Sequence, residues 1–214
     1  MSKLYFSIIG DIVKSKEIDD REFVQNQLST ILEDINKKYA DDIAAKFLIT
    51  LGDEFQGVLK NGKNTYEIIL EIVDKMEPVQ IRFGIGYGTL STDMQEYALG
   101  IDGESFYLAR EAINTAHKKT GFAINFRSKI IEQIMEIAID NNFILLSQIR
   151  NIWTIQQTKL HDLLKLELKQ REISDKLGVT QATISRMKSK ARIDDIIDVE
   201  KNLSKLLEGL VARD

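Results

Sequence analysis

Two Gly-Asp pairs, each following a short apolar run, are the residues of this sequence best suited to chemistry. The first pair follows Leu4–Ile9 and contains Asp11, while the second follows Ile49–Leu51 and contains Asp53, with Glu54 beside it. Magnesium is commonly held by one or two protein carboxylates together with water and substrate phosphates. The pair Asp11 and Asp53 therefore predicts a site for a metal-nucleotide complex. The alternative is that both aspartates only cap backbone groups in ordinary turns.

The elements around these acids determine whether they meet. Residues Ile49–Leu59 predict two short strands that reverse at Gly52 and Asp53, and pairing of the first strand with this hairpin would bring the two aspartates together. Lys14 and Ser15 follow Asp11, where their backbone amides are candidates for a phosphate cradle, although a solvated turn explains them equally well.

A glycine-rich segment predicts a third strand with unusual packing. From Ile81 to Leu90, apolar residues alternate with Arg82 and three glycines, which is strand periodicity with one face stripped of side chains. We expect another part of the chain to approach that face closely.

The whole order of elements predicts an α+β fold. Helical spacing of apolar residues predicts helices over 21–38, 64–76 and 105–118, with a short strand possible at 97–99 and a last strand at 122–126. This order predicts a sheet that contains antiparallel pairs and has its helices on one face. From Arg127 onward the strand pattern ends and only helical patterns continue. We therefore predict two domains, residues 1–127 and 128–214.

The composition narrows the possible classes of protein. The 214 residues carry a net charge of -4, 43% are apolar and 29% are charged, as in an ordinary globular protein. With no cysteine and only His117 and His161, which have no partner pattern and are interpreted as structural or exposed, any metal is expected to have oxygen ligands. No apolar run is long enough to span a membrane, and no leader is evident, so a cytoplasmic protein without a membrane partner is expected.

The segment Gln170–Ser189 matches the template of a DNA-binding helix-turn-helix. Gly178 stands where the turn needs a positive φ, Ser174 is small enough for two helices to touch, and Thr180 can cap the second helix. Seven Lys or Arg against two acids between Lys169 and Arg192 give this segment a local positive charge. The alternative is a pair of helices that serves only as a dimerisation or linker element.

If the template holds, the second helix enters the major groove of duplex DNA. The groove-facing residues would then be Gln181, Ala182, Ser185 and Arg186, and the phosphate contacts would come from Lys188, Lys190 and Arg192. One helix-turn-helix contacts only a half-site, so a homodimer is expected.

Three short motifs carry a resemblance to known proteins. The sequence resembles the SatD family, and its first ~125 residues are similar to the ferredoxin-like catalytic fold of class III nucleotidyl cyclases and GGDEF-type diguanylate cyclases, shared with polymerase palms. The motifs are GDIVKSK at 10–16, LGDEF at 51–55 and RFGIGYG at 82–88. The resemblance implies that Asp11 and Asp53 are metal ligands for Mg²⁺ or Mn²⁺, that Glu54 is a further acid of the hairpin, and that Arg110 steadies a triphosphate.

Three positions depart from the cyclase pattern. Ile49 stands where cyclases place a lysine that selects the base, Phe106 where they place an asparagine, and Leu51 replaces the first glycine of the GGDEF motif. We therefore expect a DNA-binding transcriptional regulator whose first domain senses a metal-bound nucleotide. The alternatives are an active cyclase or other phosphoryl-transfer enzyme, and a dimerisation scaffold without catalysis.

Overall fold

A five-stranded sheet with its first strand in the middle forms the centre of the fold. The computed structural model describes residues 3–118, 121–166 and 168–210. The strands are β1 (Leu4–Ile12), β2 (Ile43–Leu51), β3 (Glu54–Leu59), β4 (Ile81–Thr89) and β5 (Ala123–Ser128). They lie in the order β2-β3-β1-β4-β5, in which only β4 and β5 are parallel. The predicted pairing of the first strand with the hairpin is confirmed.

Helices cover both faces of this sheet, so the prediction of helices on one face was wrong. The helices are α1 (Arg21–Lys38), α2 (Thr65–Met76), α3 (Glu104–Ala116), α4 (Gln133–Ile152), α5 (Ile155–Lys165), α6 (Gln170–Leu177), α7 (Gln181–Ala191) and α8 (Ile193–Glu208). On one face, Phe6 and Ile8 of β1 pack with α1, α2, α4 and α8, while on the other Ile9 packs with α3. The central strand is buried on both sides, because its side chains alternate between two covered faces.

The glycines of β4 explain how α3 lies so near the sheet. A Cβ at Gly84 would overlap the backbone of α3 at Ala109, and one at Gly86 would overlap the backbone at Ser105. The hydroxyls of Ser7 and Ser105 are also hydrogen bonded at 2.7 Å across this contact. The predicted close approach to the glycine face is therefore confirmed, and it fixes the distance between α3 and the ends of β1 and β3.

Most element boundaries agree with the sequence-based predictions to within two residues. The first helix has the predicted bounds, and it starts at Arg21 because Asp20 caps it by accepting a hydrogen bond from the amide of Phe23. The first strand of the hairpin is longer than predicted and starts at Ile43. The short strand expected at 97–99 is reduced to an isolated bridge between Lys46 and Tyr97.

The helices after residue 128 pack in two places. Phe143 of α4 and Leu203 of α8 belong to the same hydrophobic cluster as Phe6 in the sheet. A separate cluster of buried residues joins α5, α6, α7 and the start of α8, and consists of Leu160, Ile173, Ile184 and Ile193. The division into domains at residue 127 stays a prediction. None of the described helices is long and apolar enough to cross a membrane.

Candidate functional site

The register of the sheet places Asp11, Glu54 and Arg82 side by side on the face that α3 covers. Asp11 lies opposite Glu54 of β3 and opposite Arg82 of β4. Asp53 belongs to the turn between β2 and β3, and its carbonyl accepts a 3.1 Å hydrogen bond from the amide of Ile12. The three predicted acids are therefore neighbours at one end of the sheet. We call Asp11, Asp53 and Glu54 the acidic edge.

One residue in the middle of α3 and one just after its end contact the acidic edge. Arg110 forms a two-pronged ion pair with Glu54, in which Nη2 lies 2.7 Å from Oε1. His117, just after α3, places Nε2 3.0 Å from Oδ2 of Asp11. The sequence analysis predicted Arg110 near a nucleotide but treated His117 as structural or exposed. The missed clue was spacing, because residues seven apart lie on the same side of a helix.

Of the two candidate residues in the loop after β1, Lys14 and Ser15, only Ser15 contacts the acidic edge. Ser15 is buried, and its hydroxyl donates a hydrogen bond to the carboxylate of Asp53. Lys14 adopts a left-handed conformation with φ 55°. Its exposed side chain forms a 2.9 Å ion pair with Glu17. A direct phosphate contact by Lys14 or Ser15 stays a prediction.

Asp11 lies in surroundings that raise its affinity for a proton. Burial raises the pKa of Asp11 above its ordinary value, and the negative charges of Asp53 and Glu54 raise it further, against the lowering effects of His117 and Arg82. The pKa of Arg110 is raised mainly by its hydrogen bonds to Glu54. A further cation beside Asp11 would act with His117 and Arg82 to lower this pKa.

The donor set fits a hard metal only if other ligands complete the coordination. Among the described residues, no group of three or more His, Cys, Asp or Glu side chains could hold a metal ion. The carboxylates of Asp11 and Asp53 are nevertheless the oxygen donors that Mg²⁺ accepts when water and substrate phosphates supply the rest. Glu54 would first have to leave Arg110. The residues present thus fit a metal that arrives with a phosphorylated ligand.

Two of the three positions that depart from the cyclase pattern lie in apolar surroundings. Phe106 is buried in the cluster between α3 and the sheet, and Ile49 packs against the cluster on the opposite face. Leu51, next to the hairpin turn, is 77% exposed. None of these three positions offers the acidic edge a polar side chain. The polar side chains that contact the edge are those of Ser15, Arg110 and His117.

The segment predicted to bind DNA has the helix caps and the buried positions that were expected of it. Gly178 ends α6 with φ 63°, Thr180 caps α7, and Ile173 and Ile184 are buried. The four residues predicted to face the groove are exposed, and they are Gln181, Ala182, Ser185 and Arg186. DNA binding by this segment is not tested by the geometry and stays a prediction.

Only one of the three predicted phosphate-binding residues lacks an acidic partner in the described chain. Lys188 forms a 3.0 Å ion pair with Asp194, and Arg192 bonds to Asp195, whereas Lys190 is exposed without such a pair. Asp194 and Asp195, at the start of α8, thus compete with phosphates for Lys188 and Arg192. The sequence-based prediction did not include them because the basic segment was taken to end at Arg192.

Comparison with protein families gives one match over most of the chain. The model of the SatD family matches residues 5–196. A search of the curated proteins finds no similar protein.

Solved structures with a similar fold include nucleotide cyclase domains. The catalytic core of a rhodopsin-guanylyl cyclase with converted specificity, in complex with ATPαS, shares 17% identity at a TM-score of 0.43, over 53% of this chain and 73% of that one. The monomeric guanylyl cyclase domain of the RhoGC fusion protein from the aquatic fungus Blastocladiella emersonii shares 17% identity at a TM-score of 0.42, over 53% of this chain and 76% of that one. A bacterial light-regulated adenylyl cyclase shares 14% identity at a TM-score of 0.45, over 59% of this chain and 43% of that one.

Proposed function

This chain belongs to the SatD family, and we propose that its acidic edge binds a nucleoside triphosphate together with Mg²⁺ or Mn²⁺ and acts on the phosphates. The observation that carries the proposal is the meeting of Asp11, Asp53 and Glu54 with Arg110 at one point of the sheet. Carboxylates that recruit a metal and a cation that can hold a phosphate are the two parts that phosphoryl transfer requires.

Each side chain has a defined part in this proposal. Phosphate oxygens compete with Glu54 for the guanidinium of Arg110, because both are anions that suit its planar fork. Glu54, once released, adds a third carboxylate to the edge. When bound, the metal neutralises phosphate charge and orients the reacting phosphate. His117 lies against Asp11 and is placed to hold or release a proton there.

Calorimetry tests this proposal. ATP and GTP are titrated into the purified protein with Mg²⁺, with Mn²⁺ and with EDTA. We expect saturable, metal-dependent binding that Asp11→Asn and Asp53→Asn each weaken about ten- to a hundredfold, the usual cost of a lost charged contact. Asp93→Asn is the matched control, because Asp93 is an exposed aspartate in a loop. Binding that is unchanged in both edge variants would overturn the proposal.

Product analysis separates an enzyme from a sensor. The same mixtures are examined by chromatography for pyrophosphate and new nucleotides after incubation with excess triphosphate. Metal-dependent product that disappears in Asp53→Asn supports phosphoryl transfer. Tight, metal-dependent binding without product means instead that the edge only senses the nucleotide, in agreement with the hydrophobic side chains at Ile49 and Phe106.

Duplex DNA is a second candidate partner, supported by the exposed side chains at the start of α7 and the left-handed Gly178 before them. In this proposal residues 128–214 bind DNA and residues 1–127 bind the nucleotide. In binding assays over a range of salt, Arg186→Ala should reduce sequence preference and Lys190→Ala should weaken all sequences equally. Absence of binding at low salt would rule this candidate out.

A further inference from the structure

The outer face of α4 differs in charge from the rest of the surface. None of the exposed side chains of this helix, which is described over its full length, is charged. Its charged residues point inward, with Glu136 and Asp140 beside Arg127 and Arg150 beside Asp74. The exposed face of α1, by contrast, carries Arg21, Glu22, Glu33, Asp34, Lys37 and Lys38. A helix that faces water normally carries charge there, as α1 does, so the outer face of α4 requires another explanation.

Large apolar side chains project from this face of α4. Ile134 is 80% exposed, Leu145 62% and Ile152 78%, and Met135 and Ile137 also face solvent. Removing such side chains from water is favourable, and contiguous exposed apolar surface marks interaction sites in soluble proteins. The outer face of α4 is therefore a candidate contact surface.

The exposed residues of α4 recur with the spacing of paired helices. From Ile134 to Ile152 they follow one another in alternating steps of four and three residues, and all of them are exposed: Ile134, Ala138, Asn141, Leu145, Gln148 and Ile152. We call these residues the uncharged stripe. A step that averages about 3.5 residues keeps one line of side chains facing a neighbouring helix along its length. The pattern thus indicates a second helix lying against α4.

The uncharged stripe is compatible with a second copy of itself. The steps are the same when read from either end, so two antiparallel copies place Ile134 of each chain beside Ile152 of the other, and Asn141 beside Leu145. No like charges meet in this arrangement, and the dipoles of antiparallel helices attract each other. Homodimer interfaces are also more apolar than other protein contacts, and their cores are depleted of charge.

Partners of other chemistry suit the uncharged stripe less well. Nucleic acids are held mainly by lysine and arginine contacts to phosphates, and helices that lie on membrane surfaces are rich in the same two residues. The stripe contains neither residue type. The absence of charge therefore favours a protein surface that is itself uncharged.

The size of the helix determines how strong such a contact can be. A helix of 20 residues is about 30 Å long and about 10–12 Å wide, so its outer face covers roughly 300–360 Å². Interfaces of standard size bury about 800 Å² on each partner. We therefore expect a weak, reversible dimer with a dissociation constant in the micromolar range.

We propose that the uncharged stripe of α4 joins two copies of this chain as an antiparallel helix pair about a twofold axis. The isoleucines at its two ends bury each other, and Leu145 packs between them near the middle. Asn141 lies in the contact as well, where a polar residue fixes the alignment of two helices at a cost in affinity. The contact involves no residue of the acidic edge and needs no nucleotide.

Sedimentation equilibrium of the full chain tests the contact, at protein concentrations from about 1 to about 200 μM and without nucleotide. We expect a reversible equilibrium between monomer and dimer. Leu145→Glu should weaken the dimer at least about a hundredfold, because it replaces an apolar contact by a charge in both chains. Leu99→Glu is the matched control, since Leu99 is 61% exposed in a loop far along the chain from α4, and it should leave the equilibrium unchanged.

A substitution of the opposite kind should strengthen the dimer. Asn141→Leu removes the polar residue from the contact, and we expect the dimer to become about tenfold tighter. Urea denaturation at low protein concentration should give the same free energy of unfolding for the monomers of Leu145→Glu and of the natural protein. This comparison separates an effect on association from an effect on folding.

Cysteine cross-linking tests the antiparallel arrangement, and the chain contains no cysteine that would interfere. Chains that carry Ile134→Cys are mixed with tagged chains that carry Ile152→Cys and are then oxidised. We expect a disulfide-linked dimer of one chain of each kind. Ile134→Cys chains oxidised alone should stay unlinked, because antiparallel helices hold the two copies of this position about 30 Å apart.

Three results would overturn the inference. A chain that is monomeric at every concentration has no such contact, and a dimer that persists unchanged in Leu145→Glu is formed by another surface. Efficient linking of Ile134→Cys chains to each other would contradict the antiparallel arrangement. Metal-dependent nucleotide binding in Leu145→Glu should equal that of the natural protein, so the proposed function and this contact can fail separately.

Discussion

Two groups of charged side chains in this protein use similar residues in different surroundings. The acidic edge joins Asp11 to His117 and Glu54 to Arg110. A second group, which we call the interhelical network, joins Arg150 to Asp74 and His161 to Glu200 between the helices. The side chain of Arg110 is 46% exposed, whereas that of Arg150 is 4% exposed.

The difference in burial separates contacts that a ligand can exchange from contacts that hold helices together. Water replaces the partners of an exposed ion pair at little cost, so Arg110 can leave Glu54 for a phosphate. A buried arginine has no such replacement, and loss of its partner leaves a charge without solvation. The acidic edge is therefore suited to binding, and the interhelical network to structure.

Removal of the buried arginine should have the largest effect. Arg150→Ala leaves Asp74 without its ion pair and Trp153 without its cation-π contact, and we expect a loss of about 3–5 kcal/mol in the free energy of unfolding. Urea denaturation followed by circular dichroism measures this loss. A loss below about 1 kcal/mol would contradict the structural role given to the network.

The pH dependence of stability should give an intermediate effect. Burial raises the pKa of Asp74 from 3.8 to about 6, against the lowering effect of Arg150. Between these values the folded protein holds a proton that the unfolded chain releases, so stability should fall as pH rises from about 4 to about 6. The full shift corresponds to about 3 kcal/mol, and we expect less because Asp74 is partly exposed.

Asp74→Asn tests the cause of this pH dependence, because asparagine has a similar size and does not titrate. Unfolding midpoints in urea at several pH values should vary less in this variant than in the natural protein. Asp93→Asn, in an exposed loop, should keep the original dependence. If Asp74→Asn leaves the curve unchanged, another group is responsible.

Removal of the exposed arginine should have the smallest effect on stability. Arg110→Ala breaks both hydrogen bonds to Glu54, yet we expect a loss of less than about 1 kcal/mol in the same denaturation experiment, since solvent replaces the guanidinium. The variant should nevertheless weaken binding of a triphosphate. A stability loss equal to that of Arg150→Ala would remove the contrast between the two groups.

Local features of the chain were predictable because short-range physics determines them. The ends of α1 follow from a capping aspartate and a periodic apolar stripe, and the close contact at Gly84 and Gly86 follows from glycines on one face of a strand. The pairing of the first strand with the hairpin also follows, since each Gly-Asp pair stands where an apolar run ends; the exact register, which sets Asp11 opposite Glu54, was not predicted.

The tertiary structure alone decided three features. They are the packing of helices on both faces of the sheet, the contact of His117 with Asp11, and the interhelical network. The paired residues in these features are far apart in the sequence: Arg150 meets Asp74, 76 positions away, and His161 meets Glu200, 39 positions away. Sequence patterns state which face of an element is apolar or charged. They do not state which other element arrives there, because that depends on packing of the whole chain.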